Sequence, residues 1–340
     1  MQIIKNFFSD ILRYLSRNKK LTIILIIIVA VSATSITAGI DFSFLGAKQA
    51  ADASSLLQSE DDRTIAQNIE KYSLKTDWLE AHPQELQVST DASLILDYET
   101  REILFAQDIH EQNYPASITK ILTALVVLEN MDTGKLCTVS EKAAKTEANH
   151  LSLAEGEQLY VNDLLYALMM FSANDAAVVL AECYDGGSDA FMAKMNERVR
   201  LLGLTESNFV TPNGLHDDNH YTTAYDMAVI TKYAIATQPS ILDYMGRTED
   251  YSIPVTEHNS VHWFYCLSSL LKTYQGMDGA KTGFTYEAGN TYVATAERDG
   301  RRIIIVYFDA FSKTYDATLL LDQGFFLESL IAKDDEETVE

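Results

Sequence analysis

Residues 114–131 read YPASITKILTALVVLENM, from Tyr114 to Met131. Pro115 stands just ahead of an apolar helical run, where its missing N–H does no harm. That places Ser117 at a helix N-terminus and Lys120 one turn later. Residues i and i+3 share a helix face, so the lysine points toward the serine. Serine is a poor nucleophile until a base takes its proton. Lysine is that base only when neutral, a state favoured by burial and by a second cation nearby. The helix N-terminus in turn favours negative charge developing on the serine and on a substrate oxygen.

Upstream of this stretch, Ala92–Tyr98 (ASLILDY) and Glu102–Ala106 (EILFA) flank a polar turn and predict a β-hairpin. Downstream, helical patterns cover Val161–Phe171, Ala176–Cys183, Asp189–Leu202 and Thr223–Ala236. Strands resume at Thr291–Ala296 and Arg301–Phe308 (RRIIIVYF), and a last helix covers Tyr315–Ile331. Strands at both ends of the body bracket a helical middle. The expected class is α+β: a mostly antiparallel sheet built from both chain ends, flanked by helices, with a helical region inserted.

Leu21–Gly39 (LTIILIIIVAVSATSITAG) has 19 residues and no charge. As a helix it spans roughly 28 Å, close to a bilayer core. Five bases (Lys5, Arg13, Arg17, Lys19, Lys20) precede it against one acid, and Asp41, Glu60, Asp61 and Asp62 follow it. That asymmetry puts the N-terminus inside and the remainder outside. Val31-Ser32-Ala33 offers a small-residue cleavage site, yet the apolar run exceeds the roughly 7–15 residues of a signal peptide's apolar region. The expectation is a retained single-pass anchor, with a secreted body if the segment is cleaved. The expected organisation is a basic cytoplasmic segment at 1–20, a transmembrane signal-anchor at 21–40, an extracytoplasmic spacer at 41–87, a catalytic domain at 88–332 and an acidic tail at 333–340.

Net charge is −23, and the five bases and one acid of the first 20 residues leave −27 for the rest. That balance argues against a nucleic-acid partner. Cys137, Cys183 and Cys266 are odd in number and show no metal spacing. They read as three small buried residues, not as a disulfide framework.

Two further short motifs follow the first. Ser172-Ala173-Asn174 ends the apolar run LLYALMMF, where a hydroxyl and an amide can reach into a cleft. Lys281-Thr282-Gly283 offers a cation and a hydroxyl for a carboxylate, and a glycine that lets a substrate backbone lie close to a strand edge. Each alone is weak. The S-x-x-K pattern recurs at Ser16–Lys19 and Ser269–Lys272, neither of which opens a long apolar helix beyond the membrane segment. His220 and Asp226 read as a buried histidine and a helix-start residue in preference to an acid–base pair. Trp263, His262 and Phe264 either line a cleft or fill a core.

Taken together, the three motifs occur in order, at intervals of 55 and 109 residues. With Asn174-Asp-Ala-Ala, Pro212-Asn213-Gly214-Leu215, His220-Tyr-Thr-Thr-Ala and Asp278-Gly-Ala-Lys-Thr-Gly-Phe-Thr, the chain resembles the low-molecular-mass penicillin-binding D-alanyl-D-alanine carboxypeptidases, peptidase family S11, over about residues 88–330. The resemblance implies a β-lactamase/transpeptidase-like fold. It implies that Ser117 is acylated, that Lys120 is its base, and that Ser172 passes a proton toward the leaving D-alanine. Asn174 would hold the substrate peptide, and Lys281 and Thr282 its carboxylate. The N–H groups of Ser117 and Phe284 would form the oxyanion hole, beside Gly283. No cofactor and no metal are implied; the partners are peptidoglycan stem peptides, β-lactams as covalent inhibitors, and the membrane.

The chain departs from the family's pattern in four places. Ala173 replaces the commoner glycine. Lys313 falls where an arginine often aids carboxylate recognition, keeping the charge without the bidentate fork. The family often adds a β-rich domain and an anchoring helix, whereas the acidic stretch KDDEETVE (333–340) is expected not to anchor, leaving that role to the N-terminal segment. The glutamate loop of fast-deacylating class A β-lactamases is not recognisable. The rival expectations are a serine β-lactamase, a D,D-endopeptidase and a catalytically silent wall-binding homologue.

Overall fold

The computed structural model describes residues 61–337. The chain divides into two units, residues 1–64 and 65–340, and everything below lies in the second. The segment 21–40 expected to cross a membrane is outside the described residues. Among the described residues no helix is long and apolar enough to do so.

In chain order, helical residues 65–72 lead to α1 (Asp77–Ala81), then strands β1 (Ala92–Asp97) and β2 (Ile103–Gln107). A 3₁₀ turn over Ala116–Thr119 feeds α2 (Lys120–Asn130). The helical middle holds β3 (Leu136–Thr138), α3 (Glu141–Ala144), β4 (Gln158–Tyr160), α4 (Val161–Met170), α5 (Asn174–Cys183), α6 (Gly187–Leu201), α7 (Ala224–Thr237) and α8 (Ile241–Met245). Then come β5 (Tyr251–Ile253), β6 (His262–Phe264), α9 (Leu270–Thr273), β7 (Met277–Thr285), β8 (Gly289–Arg298), β9 (Arg301–Phe308) and α10 (Lys313–Glu337).

Five strands form one antiparallel sheet in the order β2-β1-β9-β8-β7. The two ends of the body thus meet at β1–β9, where Ile95 pairs with Ile305. β9 is central and covered on both faces, which is why RRIIIVYF runs apolar without alternation. Ile304, Val306 and Phe308 pack into the core shared with the helical middle. Ile303, Ile305 and Tyr307 pack with Ala317, Leu320, Leu321 and Leu327 of α10. The first turn of α10 is strapped down by buried Asp316, which accepts from the Ser89 amide at 3.0 Å and the Ser89 hydroxyl at 2.5 Å. Within the stretch assigned to the spacer, Tyr72 is buried against Tyr233 at a ring-centroid distance of 4.9 Å, and Lys75 bridges to Glu102.

The mixed architecture with its antiparallel sheet is as the sequence implies. Three details differ. The C-terminal strands begin at Met277, before Thr291, because β7 carries the motif Lys281–Gly283 as a strand edge. Two ribbons, β3–β4 and β5–β6, are only three residues per strand, too short to leave a periodic signal.

The cysteines are the third difference. Cys137 on β3 and Cys183 at the end of α5 are joined in a disulfide, with Cα atoms 5.6 Å apart, and only Cys266 is free. The expectation of three unpaired buried residues fails because β3 packs along α5, a proximity that a separation of 46 residues hides in the sequence. A loop of that length predicts ~3–4 kcal/mol of stabilisation from cross-linking the unfolded chain. Denaturant melts of Cys137→Ser/Cys183→Ser against the parent should show a loss of that order, and coincident melts would contradict it.

Candidate active site

The site is assembled where the 3₁₀ turn, the α4–α5 junction, the 212–215 loop and β7 meet. The turn is the first surprise: Ser117 does not sit on the α-helix itself but in the 3₁₀ turn that precedes it, with Pro115 as its cap. Ala116 just before it has φ 48°, and Ser172 has φ 61°, a left-handed backbone that non-glycine residues rarely adopt. Strained residues of this kind persist where surroundings over-determine them. Here the over-determination is visible. Gly214, at φ +80°, lies so close to the turn that a Cβ would fall 1.8 Å from the Ala116 carbonyl oxygen. Gly283 would place a Cβ 2.8 Å from the Ser117 amide nitrogen and 2.3 Å from Thr291 Oγ1. Thr291 in turn donates to the Pro115 carbonyl at 2.8 Å. The glycine of Lys-Thr-Gly thus first serves contact between β7 and the nucleophile's own turn.

Lys120 is fully buried, and its Nζ has three partners: Ser117 Oγ at 2.8 Å, Asn174 Oδ1 at 2.7 Å and the Asn213 carbonyl at 2.5 Å. Asn174 is oriented by its own Nδ2, which donates to the Glu147 carbonyl at 3.1 Å. A neutral amine has two N–H donors and one lone pair. The Asn174 and Asn213 oxygens only accept, so they take the two donors, and the lone pair is left facing the Ser117 hydroxyl. Burial pushes the Lys120 pKa well below the usual lysine range, and the charge of Lys281 pushes the same way against the opposing pull of Asp175. Electrostatics thus favours the neutral lysine, and in that state the geometry aims its lone pair at the serine proton.

Lys281, also buried, donates to Ser172 Oγ at 2.9 Å and to the Thr282 carbonyl at 2.8 Å. Burial lowers it to about 7, with Cys266 pulling up and Lys313 pushing down. Ser172 and Asn174 are both buried at the α4–α5 junction. The structure thus brings Ser117, Lys120, Ser172, Asn174, Lys281, Thr282 and Gly283 together. Phe284 follows on β7 with its ring 58 % exposed, and Lys313 is exposed at the start of α10, close enough to Lys281 to act on its charge. Ser269 and Lys272, the competing S-x-x-K pair, are both exposed, the serine just before the four-residue α9 and the lysine on it. Among the described residues no cluster of ligating side chains could hold a metal ion.

Residues outside the three motifs hold the site in place. Asn213 supplies the carbonyl for Lys120, and only its place in a Pro-Asn-Gly turn flags it in the sequence. Asp175 accepts from the Leu151 and Leu153 amides and ties the 146–156 loop to α5. His220 is 1 % exposed, accepts from the Val210 amide at 3.0 Å and the Thr211 amide at 3.3 Å through Nδ1, and reaches Thr119 Oγ1 from Nε2 at 2.8 Å. It is not paired with Asp226, which bonds Ser207 at 2.5 Å and sits in the first turn of α7. Of the remaining candidates, Phe264 fills the core, His262 is buried 3.2 Å from Glu157, and Trp263 is exposed.

His220 and Asp226 oppose one another in the pH dependence of stability. Burial lowers His220 to about 4. Between pH 6.5 and 4 the unfolded chain binds a proton that the folded one refuses, so stability falls as pH falls. Burial raises Asp226 to about 6. Between pH 6 and 3.8 the folded chain binds a proton the unfolded one does not, so stability rises as pH falls. Each window amounts to ~3 kcal/mol. In Asp226→Asn only the histidine remains, and urea melts should show stability dropping more steeply than in the parent from pH 6.5 to 4. Parallel profiles would contradict the assignment.

Residues 79–312 match the family model for Peptidase_S11, D-alanyl-D-alanine carboxypeptidase. Among curated proteins, the D-alanyl-D-alanine carboxypeptidase DacF of Bacillus subtilis is 34% identical over 249 residues, covering 71% of this chain and 63% of the relative. DacB2 of Mycobacterium tuberculosis is 32% identical, covering 69% of this chain and 81% of that one. The chain thus spans less than two thirds, 63%, of the Bacillus relative's length. Among solved structures, the Streptomyces K15 DD-transpeptidase superposes with a TM-score of 0.67 at 26% identity over 71% of this chain and 99% of that one. Penicillin-binding protein D2 of Listeria monocytogenes, in its ampicillin-bound form, gives 0.60 at 28% identity over 71% and 99%.

Proposed function

That the chain belongs to the D-alanyl-D-alanine carboxypeptidase family, peptidase S11, is the premise from which we propose a serine D,D-carboxypeptidase that removes the terminal D-alanine of peptidoglycan stem pentapeptides. The observation that carries it is the hydrogen-bonding of Lys120, whose two fixed acceptors leave its lone pair for Ser117, 2.8 Å away.

The steps assign to these residues the roles that the family resemblance implies, in keeping with the contacts around Lys120 and Lys281. Lys120 takes the Ser117 proton as Oγ attacks the carbonyl carbon of the penultimate D-alanine. The oxyanion is held by the N–H groups of Ser117 and Phe284. Lys281 and Thr282 bind the terminal carboxylate, with Lys313 adding positive charge at longer range, while Asn174 holds the peptide. As the C–N bond breaks, the proton held on Lys120 passes through the Ser172 hydroxyl to the leaving amine. Water then attacks the ester carbonyl, Lys120 accepts a proton from that water and returns it to Ser117 Oγ as the ester C–O bond breaks. A β-lactam follows the same acylation and leaves slowly.

The catalytic body works outside the cytoplasm, tethered by a single membrane segment at 21–40. The Cys137–Cys183 disulfide supports an oxidising compartment, and the basic residues before the apolar segment support the orientation. The test is D-alanine release from a stem pentapeptide: the protein should liberate one D-alanine per peptide and leave the tetrapeptide intact. Rapid penicillin hydrolysis without D-alanine release would instead assign a β-lactamase.

A further inference from the structure

Strand β6 alternates as a half-buried strand must. His262 and Phe264 point inward, while Trp263 is 60 % exposed and Tyr265, the next outward residue, 46 %. Their rings form a ladder: Trp263 to Tyr265 is 5.8 Å between centroids, and Tyr265 to Phe171 is 5.8 Å, edge to face. Phe171 caps α4 and is followed directly by Ser172. The Leu267 amide donates to the Met170 carbonyl at 3.0 Å, fixing this segment to the end of α4. An exposed aromatic ladder therefore runs from the surface to the edge of the candidate active site. Its segment, residues 259–269 (NSVHWFYCLSS), has no Asp, Glu, Lys or Arg in a chain that carries 49 acids and 26 bases.

We propose that Trp263 and Tyr265 form a platform for the saccharide from which the stem peptide hangs, an inference that rests on the carboxypeptidase reading. Large exposed aromatic side chains that adjoin a site mark a binding surface, since they leave apolar area in water when the platform is empty. The reach is right. Four residues precede the scissile bond of a stem pentapeptide, and extended chain covers roughly 3.3 Å per residue, so the sugar lies about 13 Å from the nucleophile. Two ring steps of 5.8 Å beyond the edge of the site cover a comparable distance. The chemistry is also right. A pyranose presents a face of C–H groups to an aromatic ring and surrounds it with neutral hydroxyl and acetamido groups, which suit an uncharged patch. A bilayer surface also takes Trp and Tyr, but anionic headgroups are repelled by a body whose residues 88–332 carry 34 acids against 16 bases.

The experiment uses the full 340-residue chain and two substrates: a free stem pentapeptide, and the same pentapeptide carried on its N-acetylated disaccharide. D-alanine release from the free peptide by the parent protein reads the premise, and its absence overturns premise and proposal together. With the premise standing, Trp263→Ala should lower kcat/KM for the sugar-borne peptide by about tenfold, the scale of one lost aromatic contact. Trp263→Phe should restore most of that loss. The rate on free peptide and the acylation rate by benzylpenicillin should stay at parent values in both variants. Equal losses on the two substrates, or none on either, would overturn the proposal. So would Trp263-dependent flotation with phosphatidylglycerol vesicles, which would assign the platform to lipid.

Discussion

Lys120→Arg should acylate with benzylpenicillin slower than the parent by at least the ~10²–10⁴-fold typical of a removed general base. Arginine stays protonated at any accessible pH and presents no lone pair to Ser117. The buried position worsens the change, since the guanidinium brings a permanent charge to a residue with 0 % exposure. Lys281→Arg should behave differently. Its task is to hold a carboxylate as a charge, so the variant keeps measurable acylation, weakened by altered geometry. The pH profile separates the two lysines further. In the free protein kcat/KM for a carboxylate-bearing peptide should rise as pH climbs through the lowered pKa of Lys120, where the base becomes neutral. It should fall as pH climbs past about 7, where Lys281 loses its proton. In Lys281→Arg the falling limb should disappear, because arginine does not titrate there. The measurements are stopped-flow acylation and D-alanine release, with folding checked by circular dichroism. A Lys120→Arg that acylates like the parent, or a Lys281→Arg that is the less active of the two, would overturn this division of labour.

What the sequence revealed and what it hid follow from the range of the interactions. The helix after Ser117 and the strand RRIIIVYF are legible because each is a long apolar run whose pattern is local. The seven residues that converge were legible as three motifs, although their convergence was an inference from resemblance. β7 was poorly legible: MDGAKTGFT holds two glycines and little β propensity. Its extension is imposed by pairing with β8, where Lys281 sits opposite Val293, and by contact with the Ser117 turn. The Cys137–Cys183 pair and the Asn213 carbonyl are long-range matters too. Each depends on which loop is brought against which helix, and neither leaves a periodic trace. The 3₁₀ entry to α2 was hidden for the opposite reason. It is a one-residue matter, set by Ala116 in the left-handed region with Gly214 pressed against its carbonyl. The same contact makes Gly214 and the Ser117 turn a single structural unit, which no S-x-x-K pattern conveys.

Ser117→Ala carries the largest expected effect. The hydroxyl is the nucleophile that Lys120 faces, and the motif's other hydroxyl, on Thr119, is engaged with His220 at 2.8 Å. D-alanine release should fall by on the order of 10⁴–10⁶-fold, the scale seen when an activated serine is removed. The fold should survive, because Ser117 is half-buried and its hydroxyl bonds Lys120, which keeps Asn174 and Asn213 as partners. The most direct measurement is therefore intact-mass analysis after benzylpenicillin, followed by peptide mapping. The parent should gain the mass of one penicillin, on a peptide containing Ser117, and Ser117→Ala should gain none. An adduct mapped to Ser269, or undiminished labelling of Ser117→Ala, would contradict the assignment of Ser117 as the acylated residue.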